Sequence, residues 1–185
     1  PAILLSMITN EHPHSNAPAS PARRAALYGV LAALALVAGY LEVLVPLPVT
    51  ITGVKLGLGN AIVLFALERM GAKPAFILML IKVACSTMLF ANPQMFVFSI
   101  AGGVLSWAIM VAAHKSGLFS TISISVLGGI AHNAGQLIMV ALTLSPTVAL
   151  VNAPVLAVAG IICGLAIGIL VQAVLSAIPQ EATRV

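Results

Sequence analysis

The chain has 185 residues, of which 61% are hydrophobic and only 6% are charged. Soluble domains carry about 25% charged residues, so the composition argues against a soluble enzyme, a disordered chain and a nucleic-acid-binding protein. The net charge of +4 comes from Lys and Arg residues that are spread along the chain and form no basic stripe. All four acidic residues are glutamates, which excludes magnesium chemistry built on aspartate clusters.

The sequence predicts neither a metal site nor a cofactor. Cys85 and Cys163 lie far apart in apolar segments, a spacing that fits no metal-ligand or disulfide pattern. The phosphate-binding pattern G-x-x-x-x-G-K-[ST] does not occur, so the chain has no nucleotide site of that kind.

The hydropathy pattern predicts an all-α membrane protein. A membrane-spanning helix needs about 20 mainly apolar residues, and Pro, Gly and Asn separate six apolar segments. The predicted spans are Ala25–Val45, Val54–Leu67, Pro74–Ala91, Met95–Ala113, Ile122–Leu144 and Pro154–Ile178. The second is short, so either it tilts little or irregular chain inside the membrane extends its start. We expect a membrane domain over 23–178 between a flexible N-terminal tail (1–22) and a short C-terminal tail (179–185).

The distribution of basic residues predicts the orientation. Positive charge accumulates in short cytoplasmic loops, and six Lys and Arg residues fall on one side of the predicted bundle: Arg23, Arg24, Arg69, Lys73, Lys115 and Arg184. The loops on the opposite side contain none unless Lys55 is counted at an edge. Both termini are therefore predicted to be cytoplasmic.

Three charged residues remain within the predicted spans. A charge in the bilayer costs about 2.5–3.5 kcal/mol on insertion scales, so each is a candidate functional residue. Glu42 and Lys55 lie near the outer ends of spans one and two, where they either pair, extend to the interface or bind substrate. Lys82 lies near the middle of span three, with Ser86 on the same face. Either it forms a buried structural contact or its ammonium holds an anionic group.

Span five carries a polar cluster. Gly128, His132 and Gln136 recur at steps of four residues, with Asn133 beside them. Each side chain alone is explained by hydrogen bonding between helices, but the cluster favours a polar cavity. A metal site is not predicted, because His132 has no carboxylate or second His at ligand spacing.

Small residues form a row on span one, where Ala25, Gly29 and Ala33 recur at steps of four. Such rows let helices approach closely. The row either packs within the bundle or docks helices of another membrane protein.

Three stretches resemble the family called Gx transporters, also described as heptaprenyl diphosphate synthase component I. They are Gly53-Val-Lys-Leu-Gly-Leu-Gly-Asn60, Ser99-Ile-Ala-Gly-Gly103 and Gly129-Ile-Ala-His-Asn-Ala-Gly-Gln136, and the resemblance covers about 23–178. The sequence departs from the family pattern at Gly59, where Ala is expected, and at Lys82, where Arg is expected. The second change keeps the charge but loses the bidentate fork.

The family in turn is similar to the substrate-binding S components of energy-coupling factor transporters. This resemblance implies a six-helix bundle with cytoplasmic termini and a substrate pocket near the outer face, closed by the loop between spans one and two. It also implies that the small-residue surface of span one docks a transmembrane coupling subunit, which carries two ATPases. The host membrane would be the cell membrane of a prokaryote.

Residues and resemblance together predict a substrate-binding subunit that is not an enzyme. Lys55 and Lys82 would hold negative charge on a small anionic or amphipathic molecule. Asn60, His132, Asn133 and Gln136 would orient it by hydrogen bonds, and apolar walls would hold the remainder. One alternative is an accessory membrane subunit of polyprenyl or quinone metabolism, because prenyl transfer itself needs magnesium-binding aspartates. The other is a structural subunit of a larger membrane complex.

Overall fold

The fold was analysed in a computed structural model that describes residues 20–44, 57–90 and 93–179, except for the side chains of Glu42, Val43, Phe90 and Met95. These residues form six helices and no strand, which confirms the all-α class. The helices are α1 (Pro21–Leu44), α2 (Asn60–Met70), α3 (Ala72–Phe90), α4 (Pro93–Ser116), α5 (Thr121–Thr143) and α6 (Pro146–Ala177). The two predicted tails lie almost wholly outside the described residues.

Five of the helices are long and apolar enough to cross a membrane, so a multi-pass membrane protein is supported. The exception is α2, which has 11 residues and a length of about 16 Å. The number of six membrane spans therefore stays a prediction.

The second span was predicted to begin at Val54, but α2 begins at Asn60. Residues 54–56 lie outside the described part, and Gly57, Leu58 and Gly59 form a turn instead of helix. Gly57 has a φ of 86°. This left-handed conformation is incompatible with regular α-helix, and glycine adopts it without strain. The turn is closed by the Asn60 amide, which donates to the Gly57 carbonyl at 2.8 Å.

The sixth span was predicted to begin at Pro154, which is wrong by two turns of helix. The Ser145 hydroxyl caps α6 by accepting from the Thr147 amide at 3.2 Å, and Pro146 occupies the first turn, where its missing N–H is not needed. Pro154 therefore lies inside the helix. Just before it, the Asn152 side chain donates to the Val148 carbonyl at 2.8 Å, within its own helix.

Helices α4, α5 and α6 pack with their backbones in direct contact. A Cβ built at Gly164 of α6 would lie 2.7 Å from Val126 Cα of α5, and one built at Gly135 of α5 would lie 2.6 Å from the Ala101 carbonyl oxygen of α4. Gly160, Gly164 and Gly168 form the contact row of α6. Apolar side chains gain little free energy by moving from lipid into the protein interior. Close packing is therefore a main source of helix association in membranes.

Helices α1, α2 and α3 are joined to this unit through side chains. Leu64 and Leu67 of α2 and Leu78 and Met79 of α3 are almost fully buried and belong to the same apolar core. Met79 packs on Gly103 of α4. The core therefore fills the space between the short helix and its neighbours.

One end of the bundle collects most of the described basic residues. The Arg69 guanidinium at the end of α2 donates to the Leu175 carbonyl and, at 2.6 Å, to the Ile178 carbonyl at the end of α6. Glu68 contacts His114 at 3.5 Å, and the Trp107 indole donates to the Ala72 carbonyl at 3.0 Å. We call this the charged end. The positive-inside rule favours its placement in the cytoplasm, which stays a prediction.

Replacement of Arg69 by Leu should loosen the end of α6. Two carbonyls in its last turns would lose a charged donor, and hydrogen bonds to charged groups contribute about 1.5–3 kcal/mol. We expect faster amide hydrogen exchange over the last two turns of α6, with little change in α4 and α5. Lys73→Leu is the control, because it removes an exposed charge from the start of α3. Equal exchange in the two variants would contradict this anchoring role.

Candidate functional site

Four polar side chains from four helices lie at one depth inside the bundle. They are Asn60 (α2), Lys82 (α3), Ser106 (α4) and His132 (α5), and we call them the polar layer. Each lies about ten residues, and hence about 15 Å, along its helix from the charged end. If the membrane begins at the charged end, a hydrocarbon core about 30 Å thick places the layer near its middle. Each side chain is at most 6% exposed.

A chain of hydrogen bonds connects three of these helices. The Lys82 ammonium donates to Asn60 Oδ1 at 3.1 Å, and Asn60 Nδ2 donates to the Ser106 hydroxyl at 3.4 Å. Asn60 thus uses both ends of its amide to join α3 to α4. This arrangement holds the ammonium of Lys82 at the start of α2.

His132 joins the polar layer through two glycines. A Cβ added at Gly57 would lie 3.2 Å from the His132 ring and 2.9 Å from Asn60 Nδ2. The Gly57 backbone, which carries no side chain, therefore lies between the His132 and Asn60 side chains. A Cβ at Gly102 of α4 would lie 3.0 Å from His132 Nδ1. The imidazole is therefore enclosed between the turn before α2 and the backbone of α4.

The start of α2 adds positive potential to the same place. Gly59 occupies the N-cap position and supplies no side-chain cap. The Asn60 and Ala61 backbone amides already donate to the Gly57 and Leu58 carbonyls, so the helix start contributes through its dipole, equivalent to about half a positive charge, which favours anions. Lys82 and the start of α2 together make the most cationic environment that the described residues provide at this depth.

Ser86 lies one turn beyond Lys82 on α3 and is 3% exposed. Its hydroxyl has no hydrogen-bond partner among the described residues, and it faces α1 at Gly39, where an added Cβ would lie 3.0 Å away. A buried polar atom of this kind normally has a hydrogen-bond partner, which is a ligand, a water or a further side chain.

Two predicted site residues on α5 form side-chain hydrogen bonds, one of which reaches α6. Asn133 Nδ2 donates to the Leu156 carbonyl at 2.7 Å, and Gln136 Nε2 donates to Asn133 Oδ1 at 3.3 Å. The Asn133 bond joins α5 to α6, as expected of hydrogen bonding between helices, whereas the Gln136 bond lies within α5. A substrate-binding role for Asn133 and Gln136 stays a prediction.

The structure thus brings together Asn60, Lys82 and His132 of the predicted site. Lys55 and the side chain of Glu42 lie outside the described residues. Sequence reasoning missed Ser106, whose only signal is its spacing of seven residues from Ser99 on a helix that is otherwise mainly apolar. Groups of three or more His, Cys, Asp or Glu residues that could hold a metal are not found in the described part of the chain.

The small-residue row of α1 lies on the outside. Ala25, Gly29 and Ala33 are all exposed, and a Cβ added at Gly29 would meet nothing within 4 Å. The row therefore does not pack against the other described helices. Docking of helices from another membrane protein, the second interpretation, stays a prediction. We call the three residues the α1 row.

The fold and the polar layer define a multi-pass helical membrane protein with a cationic polar site enclosed among its helices. The family model described as heptaprenyl diphosphate synthase component I matches residues 31–174. This match covers most of the chain and includes the whole polar layer, so the chain belongs to that family. No curated protein and no solved structure gives a significant match.

Proposed function

We propose that this protein is a substrate-binding integral membrane subunit that takes up a small molecule through an anionic group. The observation that carries the proposal is the Lys82 ammonium, held by Asn60 at the start of a short helix and buried about halfway along α3. A lysine at this depth is costly, and helix starts that lie inside the membrane bind anionic substrate groups in several transporters. The anionic group is a carboxylate or a phosphate.

The neighbouring residues support the same role. His132 and Asn60 are placed to orient a ligand by hydrogen bonds, and the Ser86 hydroxyl is a further polar atom that a ligand can satisfy. We propose that Lys55 and Glu42 complete the site from the outer side. Lys55 and the side chain of Glu42 lie outside the described residues. The protein itself is proposed to have no catalytic activity.

The exposed α1 row supports docking to a partner. Small residues on the outside of a membrane helix allow the backbone of another helix to approach closely. We propose that a transmembrane coupling subunit binds here and carries the ATPases that energise uptake. The charged end of the bundle would then face the cytoplasm of a prokaryotic cell.

A second function is favoured by the family description. A component of heptaprenyl diphosphate synthase would be an accessory membrane subunit that presents a lipid diphosphate to a separate catalytic chain. Both functions need an anionic group at Lys82, so the polar layer does not separate them. They differ in the partner, which is an ATPase module in one case and a prenyl synthase in the other.

Native mass spectrometry of the protein gently extracted from its host membrane tests the proposal. A bound small anion together with coupling and ATPase subunits is the expected result. A prenyl synthase in the complex would favour the accessory subunit instead. A protein that carries partners but never a small anion would contradict substrate binding and favour a structural subunit.

Replacement of Gly29 by Leu should weaken partner association. The new side chain would fill open space at the α1 row, so the bundle itself should fold normally while a partner helix is kept at a distance. We expect partner affinity to fall about five- to 150-fold, since overpacking costs typically 1–3 kcal/mol, with ligand occupancy unchanged. Ala157→Leu, at an exposed small residue of α6, is the matched control. An intact complex carrying Gly29→Leu would exclude the α1 row as the docking site.

A further inference from the structure

Gly59 and Lys82 are in contact at the start of α2. A Cβ added at Gly59 would lie 2.8 Å from Lys82 Cδ and 2.9 Å from both Cε and Nζ. Carbon atoms pack at about 3.5–4.0 Å, so the outer half of the lysine side chain occupies the space that any other residue at position 59 would need.

The backbone at Gly59 does not itself require glycine. Its φ of −63° and ψ of −9° are ordinary right-handed helical values, which every L-residue adopts. Gly57, two residues earlier, differs because its φ of 86° is positive. The reason for glycine at position 59 is therefore the space that it leaves and not the conformation that it permits.

We propose that Gly59 is the positioning residue for Lys82. Because it has no side chain, the lysine lies flat across the start of α2, and its ammonium reaches Asn60 and the helix N-terminus together. A methyl group at position 59 displaces the ammonium from this place and leaves the fold intact, since the three atoms nearest to it all belong to the flexible end of the lysine. This inference rests on the proposed function and deepens it, because Gly59 then sets how the site meets a carboxylate or phosphate.

The first test follows Lys82 directly and needs no ligand. NMR spectra of protein labelled with ¹³C at lysine Cε give a Lys82 signal, which is assigned by its loss in Lys82→Met. We expect this signal to shift in Gly59→Ala and to stay in place in Gly29→Ala, where the added methyl group enters open space. An unchanged Lys82 signal in Gly59→Ala would overturn the inference.

The second test titrates the same labelled protein with inorganic pyrophosphate and with citrate. Movement of the Lys82 signal by one anion and not by the other distinguishes a phosphate site from a carboxylate site. We expect Gly59→Ala to need about tenfold more of the effective anion than the wild type. A Gly59→Ala titration identical to that of the wild type would overturn the inference. If neither anion moves the wild-type signal, the proposed anion site fails, while the first test still decides the role of Gly59.

Discussion

Replacement of Lys82 by Met should remove binding of the anionic ligand while the protein still inserts and folds. The substitution keeps an unbranched apolar chain of similar length and deletes only the ammonium that donates to Asn60. A hydrogen bond to a charged group contributes about 1.5–3 kcal/mol, which corresponds to an affinity loss of about ten- to a hundredfold. The measurement is ligand occupancy in native mass spectra of the wild type and the variant.

Two controls sharpen this experiment. Lys115→Met removes a lysine from the exposed end of α4 and should leave occupancy unchanged, which separates the local effect from that of net charge. The thermal unfolding midpoint of Lys82→Met in detergent should stay close to that of the wild type, because loss of a costly buried charge offsets the loss of the donor to Asn60 Oδ1. Unchanged occupancy in a folded Lys82→Met protein would remove Lys82 from the site.

Replacement of Gly164 by Leu should unfold or severely destabilise the bundle. The first added carbon would already lie 2.7 Å from Val126 Cα and 3.0 Å from the Ser125 carbonyl oxygen, and these backbone atoms have no rotamer to change. Helices α5 and α6 would have to separate, which costs more than the 1–3 kcal/mol typical of overpacking. We expect a large fall in the unfolding midpoint in detergent, or loss of folded protein.

Gly29→Leu is the matched control, because it makes the same substitution at an exposed position of α1. Its unfolding midpoint should equal that of the wild type. Equal midpoints for the Gly164 and Gly29 variants would show that the close approach of α5 and α6 does not stabilise the bundle.

The class of fold and part of the polar layer could be predicted from the sequence. Apolar segments of membrane-spanning length are unmistakable at this composition, and Lys82 and His132 stand out because polar residues are rare in such segments. The start of α6 was missed, since Pro154 was interpreted as a helix break, although Ser145 and Pro146 form an earlier start signal. Proline breaks helices less strictly in membranes than in water.

Contacts between helices could not be predicted, because they depend on how each helix is rotated about its axis. Gly59 and Lys82 appeared in the sequence as two separate departures from the family pattern, and only the structure places them in contact. Likewise, Asn133 follows His132 in the chain but bonds to α6, while His132 faces α4 and the turn at Gly57. One step along a helix turns the side chain by about 100°, enough to separate the surroundings of two neighbours.

The backbone contacts that join α4, α5 and α6 divide the molecule into a half held by close backbone packing and a half that is attached through side chains. Lys82 belongs to the second half and His132 to the first, so a ligand bound to both bridges the boundary. Such a ligand stabilises the closed bundle by RT ln(1 + [L]/Kd), and the same free energy opposes separation of the halves when the ligand leaves. Under the proposed function, tighter binding at a given association rate slows release in the same proportion, so rapid turnover would need work from the proposed partner.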